Sequence, residues 1–153
     1  MSFLGAFDIS ASGLSAERVR LDIAAENIAN ANTTRTEAGG AYQRKLVSFE
    51  SYGTDSFRDA LKRASGKRSG ITNKEAQGVG VRVSAITTDD REMKRVYEPD
   101  NPDADEDGYV EYPNVDVLKE TVDSMSATRS YEANVTALNA MKTMAQKAME
   151  IGR

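Results

Sequence analysis

The sequence predicts an α+β chain in which two long terminal helices pair as an α-helical coiled coil around a small β-rich middle. Three observations carry this expectation. Apolar residues recur at helical spacing at both ends, and valines alternate with small or polar residues in the middle. An acidic link punctuated by Pro99, Pro102 and Pro113 then separates that middle from the last helix. The boundaries follow as a first helical segment over 1–34, a β-rich segment over 35–112 and a long helix over 113–153.

The first helix is expected from Ser10 to Ala31. Phe7, Leu14, Leu21 and Ile28 fall seven apart, with Ala24, Ala25 and Ala31 beside them. Glu17, Arg18, Arg20, Asp22 and Glu26 mark the polar face. Ser10 or Ser12 suits the cap. The run Asn30-Ala31-Asn32-Thr33-Thr34 suits the stop, because Asn and Thr side chains bond to nearby backbone in turns. The last helix is expected from Asn114 to Ile151. Val115, Leu118, Val122, Met125, Tyr131, Val135, Leu138, Met141, Ala145 and Ala148 recur at steps of three and four, with Thr128 in the one gap. Its length, roughly 55 Å at 1.5 Å per residue, exceeds what a compact domain uses and implies a coiled-coil partner.

Between the helices, Tyr42–Glu50, Val79–Thr87 and Met93–Tyr97 read as short strands. Ser56–Ala64 reads as a brief helix and Ser65–Gly78 as a polar loop. So small a middle barely covers itself, so the terminal stripes must meet each other or other subunits, or stay partly unfolded.

Composition narrows the chemistry. The chain has no Cys and no His, which removes ordinary zinc sites, thiol nucleophiles and imidazole bases. Charged residues are 29 % of the chain at a net charge of −4, giving no reason to expect nucleic acid. The start, Met1 to Asp8, lacks the basic and apolar regions of a cleaved signal, and no apolar run approaches a membrane span. A hydrolase would need two carboxylates facing a pocket, and no pattern brings such a pair together.

Asp103-Ala104-Asp105-Glu106-Asp107-Gly108 matches the first half of a calcium loop. Its twelfth position is Asn114 where a bidentate Glu belongs, and Pro99 and Pro102 replace the preceding helix, so a solvated acidic loop over 103–111 is the reading favoured over calcium. Arg58, Lys62, Arg63, Lys67 and Arg68 form a basic cluster. It suits either an exposed hydrophilic loop or a contact with an anionic surface, such as a neighbour's acidic run from Glu98 to Glu111. Asn27 and Asn134 sit beside the apolar stripes, where each is either a buried amide that fixes register or an exposed one.

Several of these residues carry a family resemblance. Ser12-Gly13-Leu14-Ser15-Ala16 followed by Glu26-Asn27-Ile28-Ala29-Asn30-Ala31-Asn32-Thr33 resembles the amino-terminal signature of bacterial flagellar rod and hook proteins. Arg129-Ser130-Tyr131-Glu132-Ala133-Asn134-Val135 resembles their carboxy-terminal signature. Asn101 to Asp105 with Gly108 to Val115 is similar to the link in the proximal rod proteins of the C type, and Tyr112-Pro113-Asn114-Val115 argues against the B type. The basic stretch over 51–78 matches no family motif. The resemblance implies a non-enzymatic, cofactor-free structural subunit of the basal-body rod. Such a subunit is exported by the flagellar type III apparatus without cleavage and lies in the periplasm. Its implied partners are other rod proteins, copies of itself and the junction protein at the rod base. In this reading close-packed parallel helices transmit torque, through an assembly interface of Leu14, Leu21, Ala25, Asn27 and Ile28 on the first helix. The second helix contributes Leu118, Val122, Met125, Tyr131, Asn134, Val135, Leu138 and Met141.

Overall fold

The structure, a computed structural model, describes residues 3–37, 39–53 and 78–151. Its elements are α1 (Phe3–Ala29), β1 (Lys45–Gly53), β2 (Gly78–Thr88), β3 (Lys94–Tyr97), β4 (Tyr109–Tyr112) and α2 (Val117–Ile151). The fold is α+β, as the sequence predicts. The brief helix expected over 56–64 and all but Gly78 of the polar loop expected after it lie outside the described residues.

α1 begins seven residues before the expected Ser10, and the proposed cap Ser12 is inside it. The Ser12 hydroxyl donates to the carbonyl of Ile9 at 2.7 Å, which satisfies it without ending the helix. The stop is as read from the sequence. Asn30 Nδ2 donates back to the Glu26 carbonyl at 2.9 Å, and Thr33 Oγ1 donates to Asn30 Oδ1 at 3.2 Å. α2 starts three residues after the expected Asn114. Asp116 is the cap, its Oδ1 accepting from the N–H groups of Leu118 at 3.1 Å and Lys119 at 3.4 Å.

The two helices pack on each other in antiparallel order: Gly13 lies against Asn134, Arg20 against Asp123 and Asn27 against Glu120. Within one chain the pair is therefore antiparallel. The pair is tight because its seam is built from small residues. Ala16, Ala24 and Ala127 are buried, and a Cβ placed on Gly13 would stand 3.0 Å from Asn134 Nδ2.

β1 and β2 form an antiparallel hairpin from Lys45↔Thr88 to Gly53↔Gly78, with irregularities between Ser48 and Phe49 and between Tyr52 and Gly53. At the first, Ser84 is the extra residue, and its hydroxyl donates to the Ser48 carbonyl at 3.1 Å. The hairpin lies along α1 and is pinned twice. Near its open end, Asn27 bonds the backbone of Lys45. Fifteen residues back along α1, about 22 Å away at 1.5 Å per residue, Ser12 Oγ accepts from the N–H of Val81 at 3.1 Å. Gly80 permits that approach, since a Cβ there would fall 2.4 Å from the Ser12 hydroxyl.

β3 and β4 form a second antiparallel pair, Lys94↔Tyr112 to Tyr97↔Tyr109. β4 was not expected as a strand; it lies where the sequence reading places the link to the last helix. Its Tyr109 ring meets Tyr97 edge-on at 5.3 Å, and Val110 is buried. Pro113 and Val115 are buried at the turn into α2. Among the described residues, no helix is long and apolar enough to cross a membrane.

Candidate assembly surface

A buried polar joint fixes the helix pair and the hairpin to one another. Asn27, 1 % exposed, makes the full set of four bonds its amide allows. Its Nδ2 donates to the Lys45 carbonyl and to Glu120 Oε2, both at 3.0 Å. Its Oδ1 accepts from Tyr42 OH and from the Lys45 N–H, both at 2.9 Å. Glu120, 2 % exposed, uses its other oxygen for Arg44, taking Nε at 2.7 Å and Nη2 at 2.6 Å. Arg44 also reaches Asp89 at 3.5 Å and Asp123 at 3.8 Å. Asn114 closes the group, accepting from the Arg44 N–H at 3.0 Å and donating to the carbonyls of Asp89 and Arg91.

The electrostatics follow from this packing. Burial first, then the carboxylates of Glu26 and Glu120, push the Tyr42 phenol up to about 12. The guanidinium of Arg91, donating to Asp89 at 2.9 and 2.5 Å, holds that carboxyl down at about 2. Burying one cation among carboxylates contributes little net stability, but its geometry admits one arrangement of the elements it joins.

The joint consumes one side of each helix and leaves others uncovered. At 100° per residue, Leu118, Val122 and Met125 lie on the face of α2 opposite Glu120 and Ala127. They are exposed by 75 %, 58 % and 54 % respectively, and Val117 beside them is half exposed. On α1 the same geometry turns Leu14, Leu21 and Ile28 away from Ser12, Val19 and Ile23, which lie on the hairpin side. All three are half-buried, as are Tyr131, Asn134, Val135, Leu138 and Met141 on α2. Ala25 is exposed. Asn27 differs from the rest of the group expected at the interface: its amide is spent wholly inside the subunit, where it sets register between α1, α2 and β1.

Glu120, Arg44, Tyr42, Asp89, Asn114 and Ala127 were not among the residues expected at the interface. Glu120, Ala127, Asn134 and Met141 fall seven apart, and that spacing is the signal of the α2 seam. A search for apolar residues selects Leu118, Val122 and Met125 on the opposite face and joins the seam face only from Tyr131 onward.

In the acidic loop, Asp105 Oδ1 accepts from the N–H groups of Tyr109 at 2.8 Å and Asp107 at 3.1 Å, while Oδ2 pairs with Arg95 at 2.6 Å. These bonds, led by the one from Tyr109, hold its carboxyl below the usual range. Asp103 accepts from the Thr34 hydroxyl at 2.8 Å. Asp103 and Asp105, two of the carboxylates that suggested calcium, serve turn and loop contacts, and the calcium reading finds no support in them.

Two family models match the ends of the chain: "Flagella basal body rod protein" over residues 7–35 and "Flagellar basal body rod FlgEFG protein C-terminal" over residues 106–151. These are α1 with its stop, and β4 with α2. Across its full length the chain is 48 % identical to the flagellar basal-body rod protein FlgC of Bacillus subtilis, covering all of both chains. It is 39 % identical to the FlgC of Salmonella typhimurium, again over the whole of both chains.

The chain belongs to the FlgC family of flagellar basal-body rod proteins.

A third FlgC, from Borreliella burgdorferi, is 37 % identical over 99 % of this chain and 98 % of its own. Full-length likeness to FlgC proteins agrees with the C-type link Tyr112-Pro113-Asn114-Val115. Asn27 and Glu120 lie one in each matched end.

Proposed function

We propose that this FlgC-family chain is a structural, non-catalytic subunit of the proximal rod that stacks helically and carries torque through its helix pair. Segments 1–34 and 113–153 form the inner tube, and segment 35–112 sits outside it. The observation that carries the reading is the uncovered apolar row Leu118, Val122 and Met125 on a helix whose opposite face is already occupied by α1. The half-buried residues Leu14, Leu21, Ile28 and Val135 border it, and Tyr131, Leu138 and Met141 continue the seam face toward the far end of α2. Neighbouring rod subunits, copies of this chain and the junction protein at the rod base are the partners. Because a rod is an open assembly, its contacts are heterologous, one face of a subunit meeting a different face of the next. The periplasm is its location, reached by type III export without cleavage.

The test is substitution of these half-buried residues in a motile bacterium. Leu21→Asp or Leu138→Asp is expected to stop rod assembly and motility while the subunit is still secreted. Normal swimming with either change would remove these residues from the interface.

A further inference from the structure

We infer that Glu120 forms an interlock that makes the seating of the β1–β2 hairpin on α1 conditional on the pairing of α1 with α2. The inference rests on which element supplies each part of the joint. Asn27 comes from α1, Glu120 from α2, and Arg44 from the connection leading directly into β1. Glu120 divides its carboxylate between the other two, giving Oε2 to Asn27 and Oε1 to Arg44.

Three carboxylates face the Arg44 guanidinium, and two of them, Glu120 and Asp123, belong to α2. If α2 withdraws, Arg44 keeps only Asp89, at 3.5 Å, and Asp89 is already held by Arg91. A cation left buried in that state is relieved by moving toward water. Such movement cannot stay local. The Arg44 carbonyl accepts from the Asp89 N–H at 2.8 Å, next to the first rung of the hairpin, Lys45↔Thr88. Asn27 at the same time loses the acceptor for one of its two amide protons while still holding Lys45. The hairpin base is thus secured fully only when both helices are in place.

The fold contains its own reporter. The N–H of Val81 donates to Ser12 Oγ, a bond that exists only while the far part of the hairpin rests on α1. Amide hydrogen exchange on the full-length chain reads it directly. In Glu120→Ala, Val81 is expected to exchange about tenfold faster while the β1–β2 ladder amides and the amides of α2 beyond Ala127 keep their rates. Should Glu120→Ala loosen every amide alike, Glu120→Gln decides. Asn27 and Arg44 use different oxygens of Glu120, and Gln turns one of those acceptors into a donating NH2, so one of the two bonds is lost where it stands and Val81 is expected to lose about threefold in protection with the ladder intact. Ala127→Leu gives an independent arm, because it crowds the seam without touching the hairpin. It too is expected to accelerate Val81. Unchanged Val81 exchange in Glu120→Gln, or in Ala127→Leu with exchange raised along α1 and α2, would overturn the interlock.

Discussion

Asn27 shows how one amide can fix three elements. Its four partners come from the connection before β1, from β1 itself and from α2, so no single neighbour can shift without leaving a buried donor or acceptor unmet. Tyr42 is the most accessible handle on this. Its folded phenol titrates near 12 against an unfolded value of 10.0, so the folded state holds the proton more tightly. The stabilisation is complete below pH 10 and is lost as the pH rises through 12. Tyr42→Phe should therefore flatten the alkaline limb of a denaturation series between those values, and cost about 1 kcal/mol at neutral pH for the lost bond to Asn27. Asp89 acts at the other extreme: its carboxyl, held near 2 by Arg91, contributes above an ordinary value of 3.8 and stops contributing as the pH falls through 2. Gly80 tests a different kind of constraint. Gly80→Ala places a methyl 2.4 Å from the Ser12 hydroxyl, and thermal denaturation should show a loss of about 1–3 kcal/mol.

In the proposed reading, the helices divide their surfaces between the subunit's own needs and those of assembly. Leu118, on the outer face of α2, contributes little to the isolated chain, so Leu118→Asp is expected to change its unfolding free energy by no more than about 0.5 kcal/mol. The same change should abolish incorporation into basal bodies, measured by their protein content after purification. Both helices, the stop of α1 and three strands were legible in the sequence, because 3.6- and 2-residue periodicities and the Asn and Thr turn residues act locally. α1 was read seven residues short because Ser and Gly at positions 10–13 look like a start. Ser12 and Gly13 are tolerated there because each meets a partner far along the chain, Val81 and Asn134. β4 was missed because its four residues pair with β3 across an acidic turn that carries the stronger signal. The joint was illegible for the same reason: Arg44 and Glu120 are 76 positions apart, and no local pattern announces them.

At the scale of the molecule, the chain closes the seam between its helices and leaves a row of larger apolar residues on α2 open. Ala16, Ala24 and Ala127 let the helices approach closely but bury little area each, while Leu118, Val122, Met125, Met144 and Met149 remain in water. In the proposed reading such a subunit gains its remaining hydrophobic stabilisation from neighbours, in an open, heterologous assembly. The native sequence has no Cys, so a single introduced thiol is an unambiguous probe of that surface. The most direct measurement compares the alkylation rate of Leu118→Cys in the free subunit and in purified basal bodies. Labelling at least about tenfold slower in the assembled rod is the expected result. Equal rates in the two states would mean that this face meets nothing, and the assembly reading would be contradicted.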